Sequence, residues 1–249
     1  MRSTSRQHAG FTLVEVAVVA GILGLLALTM TSAFEGMEQA RVQNRAQADV
    51  EAARQALRHF LLRNKRLPCP DNSSHGERGR EAGGSGSCPS ELSTGWLPYE
   101  SLGLPLPVRS QRLRYGVHRD EDADLVAPTP GAIDDPDLEG SAGLASALSK
   151  AATTTPSSSF PYYSAATANG TACGGGDLVN PAFVLVAPAT DRDGSGGTHA
   201  GFDGPNRGFA DGADNCTAAP SRPASSAYDD VGVAESASTL LGLLTASTR

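Results

Sequence analysis

Aromatic residues are scarce in this 249-residue chain, at 5% with one tryptophan, so a broad platform for stacking bases or sugars is disfavoured. Basic charge is also short: 20 basic side chains, only two of them lysine, face 27 acidic ones for a net charge of −7. Residues 120–139 hold eight Asp or Glu and no Lys or Arg, a segment that a phosphate backbone would repel. No nucleic acid is expected as a partner. None of the four cysteines, at 69, 88, 173 and 216, sits in a C-x-x-C pair, which argues against a zinc ribbon or a thioredoxin-like centre. There is no G-x-S-x-G elbow, and the five histidines (His8, His59, His75, His118, His199) are scattered. Asp193-Gly194-Ser195-Gly196-Gly197 has the letters of a serine-protease signature in the wrong order. An enzyme is therefore not expected. With 28 glycines and 16 prolines, much of the chain is loop, though not enough to argue disorder.

What is present begins at the N-terminus. Residues 1–10, MRSTSRQHAG, carry Arg2 and Arg6 and no acid. From Phe11 to Phe34 the chain is apolar apart from Glu15. Val16 to Phe34 would make a helix about 28 Å long at 1.5 Å per residue, close to the roughly 30 Å of a bilayer core. Arginines before the apolar run keep that end cytoplasmic and export the rest of the chain. One reading is a secretory signal cut after Ala33 to release a soluble periplasmic protein starting at Phe34. Glu15 speaks for another. A carboxylate in an apolar span costs about 2.5–3.5 kcal/mol at the bilayer centre, less near an interface, which suits a retained segment with a partner for the charge.

Gly10-Phe11-Thr12-Leu13-Val14-Glu15, followed by its apolar run, resembles the processing site of type IV prepilins and type II secretion pseudopilins. The resemblance implies that a prepilin peptidase cuts between Gly10 and Phe11 and that Phe11 is then methylated. Glu15 becomes the fifth residue of the mature chain. The new ammonium on one subunit would neutralise Glu15 on its neighbour and set assembly register. The implied partners are the prepilin peptidase, other pilins or pseudopilins and the bacterial inner membrane.

Beyond the apolar run, Val42, Ala46, Val50, Ala53, Leu57 and Phe60 or Leu61 recur at spacings of three and four, an amphipathic stripe. No proline interrupts Phe11 to Leu67, and Pro68 and Pro70 then end the helix. Many filament-forming pilins carry a proline in this helix, so here the chain departs from the pattern. The expected organisation is a leader at 1–10, a transmembrane and amphipathic helix at 11–66, and a periplasmic or extracellular head at 67–249. The fold class is α+β and pilin-like: a long N-terminal helix on a small antiparallel sheet, with long disulfide-tied loops.

Strands are expected at Leu113–His118 (LRYGVH), Ala182–Ala187 (AFVLVA) and Val231–Val233, with LLGLL at 240–244 a last strand or short helix. In an oxidising compartment Cys69 and Cys88 would close a Gly-rich loop, and Cys173 with Cys216 would tie together the loops on either side of AFVLVA, although spacing alone leaves connectivity open. Trp96, in Gly95-Trp96-Leu97-Pro98, reads as a loop anchor packed on the helix. Asp191-Arg192-Asp193-Gly194-Ser195-Gly196 fits the first half of an EF-hand loop, but position twelve is Phe202, with Asp203 one place late. Asp211, Asp214, Asp229 and Asp230 are further carboxylates that could fold nearby. The resemblance implies a calcium site, since major pseudopilins have one in their C-terminal loop; Asp-Gly clusters are also plain turn formers, and no cofactor is required. Removing the leader's two arginines takes the net charge from −7 to −9, so like heads would repel. That favours a minor subunit of a type IV pilus or type II pseudopilus over a self-stacking one. A filament-tip, adhesin-like binding protein is the alternative.

Overall fold

The computed structural model describes residues 12–83, 87–127, 143–168, 173 and 176–247, with the side chains of 27–35 outside that set. The chain divides into two compact units, Met1–Arg41 and Val42–Arg249.

The first helix, α1, spans Leu13–Asn64. In the first unit its apolar side chains are exposed: Leu13, Val14, Val16, Val18, Val19, Ile22, Leu23, Leu25 and Leu26 are each more than half accessible. Among the described residues no helix is long and apolar enough to cross a membrane. The apolar stretch read in the sequence runs on to Phe34, and the side chains of residues 27–35 are not described. In the second unit α1 buries Ala46, Val50, Ala53, Leu57, Phe60 and Leu61, the face set by the three-and-four spacing. The helix stops at Asn64, before the prolines. Lys65 turns left-handed at φ 54° while its N–H still bonds Leu61 O at 2.9 Å, a helix-ending conformation that precedes the extended Leu67-Pro68.

The second unit then runs β1 (Thr94–Trp96), β2 (Arg114–Val117), α2 (Leu144–Thr153), β3 (Tyr163–Ser164), β4 (Leu178–Val179), β5 (Phe183–Ala187), α3 (Pro205–Asp211), β6 (Val231–Glu235) and α4 (Ala237–Ser247). Four strands make an antiparallel sheet in the order β1-β2-β5-β6, and β3 with β4 form a separate short ribbon. The register pairs Tyr115 with Leu185, and Leu185 with Val233. LLGLL is therefore helical, inside α4, and the third expected strand extends to Glu235.

Strand alternation sends side chains to two cores. On one face Tyr115, Val117, Phe183, Leu185 and Ala187 pack with the buried stripe of α1 and with Leu144, Leu148, Leu240 and Leu244 of α2 and α4. On the other, Trp96, Val184 and Val186 pack with Phe202, Phe209 and Ala210. Trp96 thus differs from its expected place: it closes β1 and faces away from the helix. The cause is Gly95, whose position leaves no room for a side chain (a Cβ there would lie 2.7 Å from Asp71 O and Pro70 Cβ) and fixes Trp96 on the opposite side. The head is thus layered, helices on one face of the sheet and the 188–230 loops with α3 on the other. Cys69 joins Cys88, and Cys173 joins Cys216.

Candidate functional site

The residues at the expected cut, Gly10 and Phe11, lie outside the described set. Glu15 lies within it, in the first turn of α1. Thr12 stands at the helix entry, and Glu15 accepts hydrogen bonds from the Thr12 N–H at 2.9 Å and from its hydroxyl at 3.0 Å. In return the Glu15 N–H donates to Thr12 Oγ1 at 3.3 Å. This is a capping box, with two otherwise orphaned backbone donors satisfied reciprocally at the head of an apolar helix. The reading of Glu15 as an assembly charge missed this second role. The signal was present: Thr-x-x-Glu directly before an apolar run.

At the other end of the chain the acidic residues separate into groups. The 188–204 loop leaves β5 and the 228–230 segment enters β6; because Ala187 pairs with Val231, both meet at the same end of the sheet. There one oxygen each of Asp191, Asp193 and Asp203 lie within 4.8 Å of one another, and so do those of Asp203, Asp229 and Asp230. Asp211 and Asp214 take other partners, His199 Nδ1 and the Cys216 N–H. Phe202 is buried in the sheet core, which is why Asp203, one place later, supplies the shared carboxylate.

Both groups are hydrogen-bonded, since Asp203 accepts the Arg192, Asp193 and Asp229 N–H groups and Asp229 the Thr190 N–H and hydroxyl; they differ in burial and in one bare oxygen. Asp191 accepts the Ser195 and Gly196 N–H groups; Asp193 accepts the Ser195 and Gly204 N–H groups, the Ser195 hydroxyl and Arg207 Nη2. Burial pushes the Asp193 carboxyl up, but those hydrogen bonds and the Arg207 charge outweigh it and hold it at about 2. This half-EF-hand stretch is a closed turn with its own cation, Arg207, against it.

The second group is buried, with Asp203, Asp229 and Asp230 at 0%, 2% and 6% exposure. Arg192 Nε donates to Asp229 Oδ2 at 2.9 Å. Asp230 Oδ2 accepts the Asp203 N–H at 2.9 Å and Asn206 Nδ2 at 2.8 Å, while its Oδ1 is buried with no hydrogen-bond partner among the described residues. Burial, then the neighbouring Asp203 and Asp229 charges, push the Asp230 carboxyl well above the usual range; burial also raises Asp203. Three buried carboxylates against one guanidinium, with a bare oxygen among them, fit a hard cation that takes oxygen ligands.

Comparison with known proteins bears on the N-terminus. Residues 5–31 match the family model described as the prokaryotic N-terminal methylation motif. The chain has a prepilin-type N-terminus. Type II secretion system core protein G of Aeromonas hydrophila is 40% identical over 63 residues, a stretch that covers 25% of this chain and 44% of that protein. The match therefore spans less than half of that relative's length. No solved structure matches. With this N-terminus the chain joins an α+β, disulfide-tied head of pilin-like plan.

Proposed function

We propose that this chain is a pilin-like structural subunit of a type II secretion pseudopilus or a type IV pilus. It is cut after Gly10 by a prepilin peptidase, methylated on Phe11, held in the inner membrane with its head outside, and then assembled with other pilins or pseudopilins through α1. The observation that carries this reading is the N-terminal methylation motif at residues 5–31, which takes in the start of a helix whose apolar side chains, from Leu13 to Leu26, are exposed. Such a surface has to be covered by lipid or by neighbouring helices. The role is packing rather than catalysis. The −9 charge of the mature chain favours a minor subunit, flanked by less acidic neighbours.

Intact-mass and N-terminal peptide analysis of the protein from its host's membranes tests this. A chain beginning at methylated Phe11 is expected. A soluble chain beginning at Phe34 overturns the filament reading.

Calcium at Asp203, Asp229 and Asp230 belongs to the same proposal. The ion would lock the 188–204 loop to the start of β6. Thermal melts in chelator and in millimolar calcium read it: melting should rise with calcium in the wild type, and Asp230→Asn should lose most of that rise.

A further inference from the structure

A cleft of about 400 Å³ is lined among others by His75, Trp96, Arg109, Thr198, His199 and Phe202. Its two histidines are far apart in sequence, and their rings are neighbours in the cleft, with centroids 5.8 Å apart and planes tilted by 36°. Two imidazoles on one ion, with metal–nitrogen bonds of about 2.0–2.1 Å and tetrahedral or wider angles, place their centroids about 5–6 Å apart.

Each ring is held from behind. His199 Nδ1 lies 2.6 Å from Asp211 Oδ1, and His75 Nδ1 lies 2.8 Å from Ser74 Oγ. The Asp211 carboxylate can only accept, so on His199 it fixes the ring, selects the tautomer with a lone pair on Nε2, and makes that nitrogen a better donor to a metal; the Ser74 hydroxyl orients the His75 ring and does the same when it accepts the Nδ1 proton. The backbone contributes as well. His75 is one of two non-glycine residues with positive φ among those described, at 54°, and Arg112 Nη1 clamps its carbonyl at 2.6 Å. Strain of this kind is kept where surrounding structure enforces it and a side chain must be aimed. Behind it Gly76 lies against Trp96, where a Cβ would come within 2.7 Å of the Trp96 Cβ.

We propose that His75 and His199 form a two-imidazole site for a borderline transition-metal ion of the Zn²⁺ or Cu²⁺ class, with Asp211 and Ser74 as positioning residues. Its ligand type separates it from the all-oxygen group at Asp203, which suits hard cations. Two protein ligands leave coordination positions open to water or to a donor from another molecule. The competing occupant is an anion drawn by Arg109. The Asp211 carboxylate on His199 counts against it, because it cancels the positive charge that an anion would need. The inference stands on the cleft alone and is independent of the filament reading.

Trp96 supplies the readout, being the chain's one tryptophan with its ring 5.3 Å from that of His199. The untagged mature chain in detergent, with calcium in excess to occupy the carboxylates, is titrated with Cu²⁺ while tryptophan fluorescence is followed. The expected result is saturable quenching at one ion per chain, reversed by EDTA and weakened by a large excess of Zn²⁺ added beforehand. His199→Gln and His75→Asn (Asn tolerates the left-handed backbone) should each weaken it at least tenfold, and Asp211→Asn about tenfold. Paramagnetic resonance of the Cu²⁺-loaded wild type should show two imidazole nitrogens, a reading that does not depend on whether the variants fold. Quenching unchanged in both histidine variants, no saturable quenching, or fewer than two imidazoles would overturn the proposal. So would a Trp96 response to citrate that Arg109→Ala abolishes, in a chain that Zn²⁺ leaves unaffected.

Discussion

His118 shows how a single side chain can set a pH limit on the head. It is 1% exposed at the end of β2, its ring centroid 4.7 Å from that of Phe160, and neither ring nitrogen has a hydrogen-bond partner among the described residues. Burial lowers its proton affinity, and Asp120 and Asp124 only partly oppose that. The unfolded chain therefore binds a proton near pH 6.5 that the folded chain resists. Stability from this residue is present above that pH and is lost as the pH falls through it. His118→Leu should melt higher than the wild type by about 1 kcal/mol and lose part of the decline between pH 7.5 and 5, as read by paired thermal melts. An equal decline in both proteins would sink the argument. Glu235 is a single side chain that joins two elements. It is 2% exposed and accepts Arg54 Nε at 2.7 Å and Arg58 Nη2 at 2.9 Å, so it ties the end of β6 to α1. Glu235→Ala removes the buried carboxylate between two partly exposed guanidiniums, of which Arg54 keeps Glu51 at 3.2 Å, and should cost about 2 kcal/mol in denaturant unfolding.

At the scale of elements, what could be read in the sequence depends on how many faces a segment buries. β5 was legible because it is central: Phe183 to Ala187 bury both faces, so an unbroken apolar run marks it. The α1 stripe was legible because helical periodicity survives over many turns. β1 was not, since three residues, Thr-Gly-Trp, carry no period, and their pairing with β2 depends on the 70–71 chain passing under Gly95. Nor was the acidic site legible as a set. Asp191, Asp193 and Asp203 share a loop, whereas Asp229 and Asp230 reach it only through the β5–β6 pairing, which no spacing encodes. The disulfides extend the same point. Cys69–Cys88 spans 19 residues and Cys173–Cys216 spans 43, so in the chain-entropy model they contribute about 3 and about 4 kcal/mol. The Cys173/Cys216 double Ser variant should therefore unfold at lower denaturant than the Cys69/Cys88 one, by about 1 kcal/mol; the reverse order would show that strain or residual structure outweighs loop length.

For the molecule as a whole, the open question is how one carboxylate can serve both a free chain and an assembled one. Both Thr12 donors converge on Glu15 Oε2, so the capping box uses one oxygen of the pair. In the proposed filament, the Phe11 ammonium of a neighbour would approach Oε1, and the cap would stay intact while the charge is neutralised. The two roles are then separable by substitution. Glu15→Gln keeps an acceptor for the Thr12 N–H, since glutamine also completes a capping box, but it offers no charge to an ammonium. Thr12→Val removes the hydroxyl half of the box and leaves the charge. Both variants should be cut after Gly10, as checked by mass. Glu15→Gln should lose most incorporation into filaments sheared from cells, whereas Thr12→Val should retain it with a frayed first turn. If instead Glu15→Gln assembles like the wild type and Thr12→Val does not, the carboxylate is there to start the helix, and the register of the filament must come from the packing of the apolar side chains between Leu13 and Leu26.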